Sequence, residues 1–96
     1  MIIWVRGARK SGKTTLATKL QKLMPNSILL DGDRMRVCIT KDLGFSEEDR
    51  LENNKRIAGL AKDLENQGFP VIVATICPDH VKDEVFYLTG CRFIEL

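Results

Sequence analysis

The segment that constrains the fold most is Gly7 to Thr14, where two glycines lie five residues apart and a Lys-Thr pair begins directly after the second. The apolar run Ile2 to Val5 precedes it and is typical of a strand buried on both faces. A stretch with helical periodicity follows it. The segment matches GxxxxGK[ST] in full and in the strand-to-helix setting that this pattern requires, so it predicts a phosphate-binding loop.

The residue types in this loop explain what it would bind. Glycines let backbone N–H groups turn inward around phosphates, and the following helix offers its unpaired N–H groups and positive dipole end. Lys13 is expected to reach the β- and γ-phosphates of a nucleoside triphosphate, and the Thr14 hydroxyl to ligate Mg²⁺. The predicted nucleotide-binding residues are Gly7, Ala8, Arg9, Lys10, Ser11, Gly12, Lys13, Thr14 and Thr15. Arg9 and Lys10 are explained equally well as solvated cations.

Strands and helices alternate along the whole chain. The predicted strands are Ile2–Val5, Ile28–Leu30, Val71–Ile76 and Cys91–Leu96, and the predicted helices are Lys13–Met24, Ser46–Gln67 and Val81–Leu88. This alternation predicts one three-layer α/β domain over residues 1–96, of the P-loop NTPase type, with about four mostly parallel strands and helices on both faces. Leu16, Leu20 and Leu23 form the apolar stripe of the first helix. Ser46 with Asp49 gives the long helix an approximate capping box.

Composition limits the partners and the location. Fifteen basic and thirteen acidic side chains give a net charge of +2, too small for a protein that grips nucleic acid along its backbone. No apolar run approaches the roughly 20 residues that span a bilayer, so we expect no membrane contact and a cytoplasmic location. The three cysteines do not have zinc-site spacing, and Cys38 and Cys91 are expected to be small buried hydrophobes.

A second candidate site lies where the other strands end. The carboxyl ends of parallel strands meet at one edge of a sheet, which is where ligands bind in folds of this type. Asp31-Gly32-Asp33 and Ile76-Cys77 follow two of the predicted strands and should face the phosphate loop there. Asp31 or Asp33 could orient an acceptor hydroxyl as a base or hold Mg²⁺ through water. A solvated Asp-Gly turn is the alternative.

Several further segments match a known family. They are Gly12-Lys13-Thr14-Thr15-Leu16-Ala17, Leu30-Asp31-Gly32-Asp33 with Arg36, Lys41-Asp42-Leu43-Gly44-Phe45-Ser46-Glu47-Glu48-Asp49-Arg50, Glu52-Asn53, Arg56-Ile57-Ala58 and Val71-Ile72-Val73. In these segments the chain resembles the adenylylsulfate kinase family, which uses ATP to phosphorylate the 3′-hydroxyl of adenosine 5′-phosphosulfate. The resemblance covers nearly the whole chain. It implies a kinase that uses ATP and Mg²⁺. The catalytic residues would be Lys13, Asp31 and Asp33, with Asp33 as the favoured base.

The resemblance also implies an acceptor site. Its residues would be Asp33, Arg36, Phe45, Arg50, Asn53, Ile76 and Cys77. Asn53 lies on the buried stripe of the long helix, where an unpaired amide would cost about 1–3 kcal/mol, so it needs a partner. Phe45 could stack on a purine base or plug the core, and Arg50 could be a solvated helix residue. A homodimer is a further expectation from the family.

The chain departs from the family pattern at several positions. Cys77 stands where some members have a serine that becomes phosphorylated, Arg34 stands where Asn is usual, and His80 replaces an arginine-like residue. The chain stops at Leu96, where the family continues with a lid, so we expect a fragment, a natural truncation, or a partner that supplies the missing parts. Two alternatives therefore stay open. These are a small kinase for another hydroxyl and a catalytically weak nucleotide-binding module.

Overall fold

The computed structural model describes residues 1–96, which form four strands and four helices. In chain order these are β1 (Ile2–Arg6), α1 (Lys13–Leu23), β2 (Ile28–Asp31), α2 (Gly32–Val37), α3 (Glu47–Asn66), β3 (Val71–Thr75), α4 (Asp79–Thr89) and β4 (Arg92–Glu95). The strands form one sheet in the order β2-β3-β1-β4, and every neighbouring pair is parallel. The predicted four-stranded α/β architecture is confirmed.

Strict alternation along the strands divides the core into two layers. On one face of the sheet, Trp4 and its neighbours in β3 pack against α3 and α4 in a cluster of 13 buried residues. On the other face, Val5 and Ile72 pack against Ala17 of α1 in a smaller cluster. All five residues of β3 are buried because this strand is paired on both sides and covered on both faces.

The parallel arrangement places every strand's carboxyl end at the same edge of the sheet. In register, Arg6 of β1 lies opposite Thr75 of β3 on one side and Glu95 of β4 on the other. Asp31 ends β2 beside Ala74. The phosphate loop, the β2–α2 turn and the loop after β3 therefore meet above this edge.

The structure corrects three local predictions. Leu23 is 78% exposed, because Met24 at the end of α1 packs against the small cluster in its place. Cys38 is exposed, since it ends the short helix α2, which the sequence did not predict. The capping box of α3 is only half formed. Ser46 Oγ accepts from the Asp49 N–H at 3.1 Å, but the Asp49 carboxylate accepts from the Gly44 N–H instead of closing back on Ser46.

None of the helices is sufficiently long and apolar to span a bilayer.

Candidate active site

A cavity of about 780 Å³ lies above the carboxyl edge of the sheet. Its walls come from four separate parts of the chain. The lining residues are Arg9, Lys10, Ser11, Gly12, Lys13, Thr14 and Thr15 from the phosphate loop and α1, Asp31, Gly32, Asp33 and Arg36 from the β2–α2 region, Phe45, Arg50 and Asn53 around the start of α3, and Ala74, Thr75 and Ile76 at the end of β3. The fold thus brings most of the predicted site residues together in one place.

Three predicted residues lie beside this cavity instead of lining it. Gly7, Ala8 and Cys77 border an adjoining cleft of about 320 Å³, and Ile76 borders both spaces. Gly7 occupies a tight place, because a Cβ added there would lie 2.6 Å from Ser11 Oγ. Glycine at this position therefore lets the loop fold closely over its own Ser11.

The phosphate loop has the backbone conformation that the sequence pattern requires. Gly12 caps α1 with a φ of 93°, in the left-handed region that favours glycine. Lys10 also has a positive φ, 62°, which is uncommon for a residue with a side chain. The Lys13 ammonium donates to the Ala8 carbonyl at 2.8 Å, so it is held across its own loop. Ser11 Oγ is buried and has no hydrogen-bond partner.

The two aspartates of the β2–α2 turn occupy different environments. One Asp31 oxygen accepts from the Thr14 hydroxyl at 3.2 Å, and the other accepts from the Asp33 N–H at 3.1 Å and so caps α2. The Asp33 carboxylate lines the cavity and accepts no hydrogen bond from the protein. Asp31 is therefore fixed beside Thr14, whereas Asp33 is available to a ligand.

Gly32 lets this turn approach β3 closely. A Cβ at Gly32 would lie 3.2 Å from both the Ala74 carbonyl oxygen and Thr75 Cγ2. Both of those residues line the cavity, so the small residue brings Asp33 toward the sheet edge.

The cavity wall around the start of α3 carries an aromatic ring close to two cations. Phe45 is 70% exposed, so the alternative that it plugs the core is wrong. Its ring centroid lies 4.5 Å from Arg36 Cζ and 5.7 Å from Arg50 Cζ, within the range of cation–π interactions. Arg36 donates to the Gly44 carbonyl at 2.9 Å and Arg50 to the Phe45 carbonyl at 3.2 Å. The two arginines therefore order the loop that presents the ring.

Burial, and then the nearby charge of Arg50, lower the pKa of Arg36 from its ordinary value. An arginine stays protonated at neutral pH in such surroundings. The site consequently keeps two guanidinium charges close to one exposed ring, which is an arrangement suited to an aromatic ligand with an anionic group.

Asn53 lies at the base of this wall. It is only 3% exposed, it lines the cavity, and its Oδ1 has no hydrogen-bond partner in the protein. The oxygen of this buried amide is therefore left without the partner that it was expected to need.

Comparison with known proteins identifies the family. A sequence model of the family described as adenylylsulphate kinase matches residues 1–95. The chain belongs to this family. It is 44% identical over 81 residues to the adenylyl-sulfate kinase of Pseudomonas aeruginosa, an alignment that covers 80% of this chain and 41% of that protein. With the Paraburkholderia xenovorans adenylyl-sulfate kinase it shares 43% identity over 83 residues, covering 82% and 46% of the two chains.

Solved structures support the same assignment. The Mycobacterium tuberculosis APS kinase in complex with AMPPNP and APS matches with a TM-score of 0.78 and 33% identity, over 98% of this chain and 59% of that chain. A hexameric APS kinase from Thiobacillus denitrificans matches with a TM-score of 0.80 and 28% identity, over 98% of this chain and 21% of that chain. This adenylylsulfate kinase family member spans less than half the length of the two curated relatives described above.

Sequence reasoning missed an arginine that joins the strand ends of this family member. Arg6 is 14% exposed, and its guanidinium donates to the Cys77 carbonyl and the Asp79 carboxylate, both at 2.7 Å, and to the Glu95 carboxylate. Burial alone would lower the pKa of Arg6, but the hydrogen bonds with these two carboxylates raise it above its ordinary value. An arginine at the end of an apolar strand was the available signal, since such a charge must find partners.

Cys77 is buried in this region, and burial raises the pKa of its thiol to about 11. The thiol is therefore protonated at neutral pH, which disfavours a role as a nucleophile.

Proposed function

We propose that this chain forms the nucleotide-binding part of an adenylylsulfate kinase, which transfers the γ-phosphoryl group of ATP to the 3′-hydroxyl of adenosine 5′-phosphosulfate. One observation carries the proposal: the phosphate loop and the wall of Phe45, Arg50 and Asn53 line the same cavity. A donor site and an acceptor site that share one cavity permit direct transfer between two bound nucleotides. The relative from M. tuberculosis was solved with AMPPNP and APS together, which supports the same pair of ligands here.

In the donor half, Lys13 would exchange its bond to the Ala8 carbonyl for the β- and γ-phosphates. Thr14 and Asp31 fit a Mg²⁺ site, because their oxygens already lie 3.2 Å apart at the end of the loop. The chain has no cluster of three or more acidic, imidazole or thiol side chains that could hold a metal alone. The ion would therefore be shared with the phosphates, where it neutralises developing charge.

In the acceptor half, the exposed Phe45 ring would stack on the adenine, while Arg36 and Arg50 would face the phosphosulfate. Asn53 Oδ1 would accept a hydrogen bond from the nucleotide. Asp33 is the proposed base, because its carboxylate is free of protein donors and lines the cavity. As the 3′-oxygen forms its bond to the γ-phosphorus, the bond to the β–γ bridging oxygen breaks and the hydroxyl proton passes to Asp33.

The positions that suggested a different acceptor lie outside the cavity. Arg34 donates to the Leu29 carbonyl at 2.8 Å, and neither Cys77 nor His80 is among the lining residues. These departures from the family pattern therefore give no specific support to another hydroxyl substrate. A homodimer and a cytoplasmic location stay predictions.

Calorimetric titration with AMPPNP and adenylylsulfate, followed by an ADP-release assay, tests the proposal. We expect ADP release with adenylylsulfate present and much less without it. Lys13→Met should weaken AMPPNP binding at least about tenfold, since it removes the only long cation in the motif that points across the loop. Lys19→Met is the matched control, because Lys19 is exposed on the same helix and lies outside the cavity. Equal ADP release with and without adenylylsulfate would contradict the proposed substrate.

A further inference from the structure

A series of buried hydrogen bonds runs from β1 to α3, next to the acceptor wall, which is the part of the cavity formed by Phe45, Arg50 and Asn53. Trp4 in β1 is fully buried, and its indole N–H donates to Thr75 Oγ1 at 2.8 Å. The Thr75 hydroxyl in turn donates to Asn54 Oδ1 at 2.8 Å. Asn54 is also fully buried. Each link therefore lies in the interior, where a hydrogen bond is electrostatically stronger than in water.

The Asn54 end of this series holds two parts of the cavity. Its amide donates to the Arg50 carbonyl one helical turn back, at 2.8 Å, and to the Ile76 carbonyl just beyond β3, at 3.3 Å. Arg50 and Ile76 both line the cavity, and so does Asn53, the residue before Asn54. One side chain thus ties the start of α3 to the end of β3 at the acceptor wall.

Stability alone does not require polar residues at these positions. Replacing both partners of a buried hydrogen bond by apolar groups of the same shape can be nearly neutral, so an apolar pair could fill this space. A hydrogen-bonded contact fixes distance and direction, which an apolar contact between a helix and a strand does not. The hydrogen bonds of Trp4, Thr75 and Asn54 therefore favour a role in placing α3 against β3. That strand is rigid, since it is paired on both sides.

We propose that Asn54, held through Thr75 and Trp4, is a positioning residue that fixes Arg50 and Asn53 against Ile76 for binding of the acceptor nucleotide. The inference rests on the proposed function, since it concerns the same acceptor site. It predicts a selective effect. The phosphate loop connects β1 to α1, and none of the hydrogen bonds of Asn54 reaches it, so donor binding should be nearly unchanged.

The test uses Thr75→Val, which keeps the shape of the side chain and removes its hydroxyl, with Thr75→Ser as the matched control that keeps the hydroxyl. Calorimetry measures the dissociation constants of adenylylsulfate and AMPPNP for each protein. The valine variant should bind adenylylsulfate about tenfold more weakly, because a small misplacement of binding groups is costly. It should bind AMPPNP within about twofold of the original protein, since none of the hydrogen bonds of Asn54 reaches the phosphate loop. The serine variant should stay close to the original protein for both ligands.

The single tryptophan supplies an independent readout. Its indole N–H gives one nuclear magnetic resonance signal in ¹⁵N-labelled protein, and this signal should move when Thr75→Val removes the acceptor at 2.8 Å. Asn54→Leu is the second variant in case Thr75→Val does not fold. It removes the bonds of Asn54 to Thr75, Arg50 and Ile76 and leaves the bond between Trp4 and Thr75 in place. It should show the same selective loss of adenylylsulfate binding.

The outcomes separate the inference from the proposed function. The inference is wrong if the indole signal moves while the adenylylsulfate dissociation constant stays within about twofold. It is also wrong if the binding of both ligands weakens equally, because the series of hydrogen bonds then has only a structural role. If the original protein binds no adenylylsulfate at all, the proposed function is wrong and the inference falls with it.

Discussion

Replacing Asn53 by leucine should change stability and acceptor binding in opposite directions. In the structure Asn53 is 3% exposed, and its Oδ1 is buried without a partner. An unsatisfied buried polar atom costs about 1–3 kcal/mol, and leucine of similar size removes that cost while adding apolar contacts. We therefore expect the free energy of unfolding of Asn53→Leu to rise by about 1 kcal/mol in the absence of ligand.

The same substitution removes the hydrogen-bond acceptor that the proposed site offers to the nucleotide. A ligand donor left unpaired in the cavity would lose about 1–3 kcal/mol of binding free energy, which corresponds to about a 5- to 150-fold weaker adenylylsulfate affinity. AMPPNP affinity should be unaffected, since Asn53 belongs to α3 and not to the phosphate loop.

Urea unfolding and calorimetric titration of the same preparations measure both effects. Asn66→Leu is the control, because Asn66 is an exposed asparagine at the end of the same helix and should alter neither quantity by more than about 0.5 kcal/mol. A loss of stability in Asn53→Leu would show that its amide is satisfied in the free protein. Unchanged adenylylsulfate affinity would show that Asn53 does not contact the acceptor. Either result refutes the reasoning.

Three further predictions concern groups outside the proposed site. Thr40→Val should leave the unfolding free energy unchanged or raise it by about 1 kcal/mol in urea titration, because the Thr40 hydroxyl is fully buried and unpaired. The hydrogen bond from Lys82 lowers the pKa of Glu95 below its ordinary 4.5, so its stabilising effect is present above that pH and is lost as pH falls through the lowered pKa. Glu95→Gln should therefore flatten the fall in melting temperature below about pH 5, and an unchanged profile would contradict this. A thiol reagent at pH 8 should modify the exposed Cys38 first, while the buried Cys77, with a pKa of about 11, stays unmodified until unfolding.

The fold was predictable because its signals are local. Three signals were sufficient to predict the parallel sheet and the position of the phosphate loop: the apolar run before Gly7, the uncharged run Val71–Ile76 and the alternation of elements. The convergence of Asp31 and Asp33 on that loop follows from the geometry of parallel strands, which place their carboxyl ends at one edge. No detailed side-chain information was needed for these steps.

The rest depends on tertiary contacts that are not encoded in spacing. The helix α2 is too short for helical periodicity to reveal it, and Asp31-Gly32-Asp33 is typical of a turn, although Asp31 in fact caps that helix. Phe45 could not be assigned to core or surface from sequence, because only the positions of Arg36 and Arg50 decide it. Long-range bonds such as the one between Trp4 and Thr75, 71 residues apart, have no signal in a single sequence.

The unpaired buried polar atoms point to the ligand more directly than the motifs do. The structure has three such side-chain atoms, and two of them, Ser11 Oγ and Asn53 Oδ1, belong to residues that line the large cavity from different elements of the chain. Polar groups in a folded core are almost always paired, and exceptions are expected where function competes with stability. The free protein therefore carries an energetic cost at two places in one cavity. A donor nucleotide that pairs with Ser11 and an acceptor nucleotide that pairs with Asn53 would each recover part of this cost on binding.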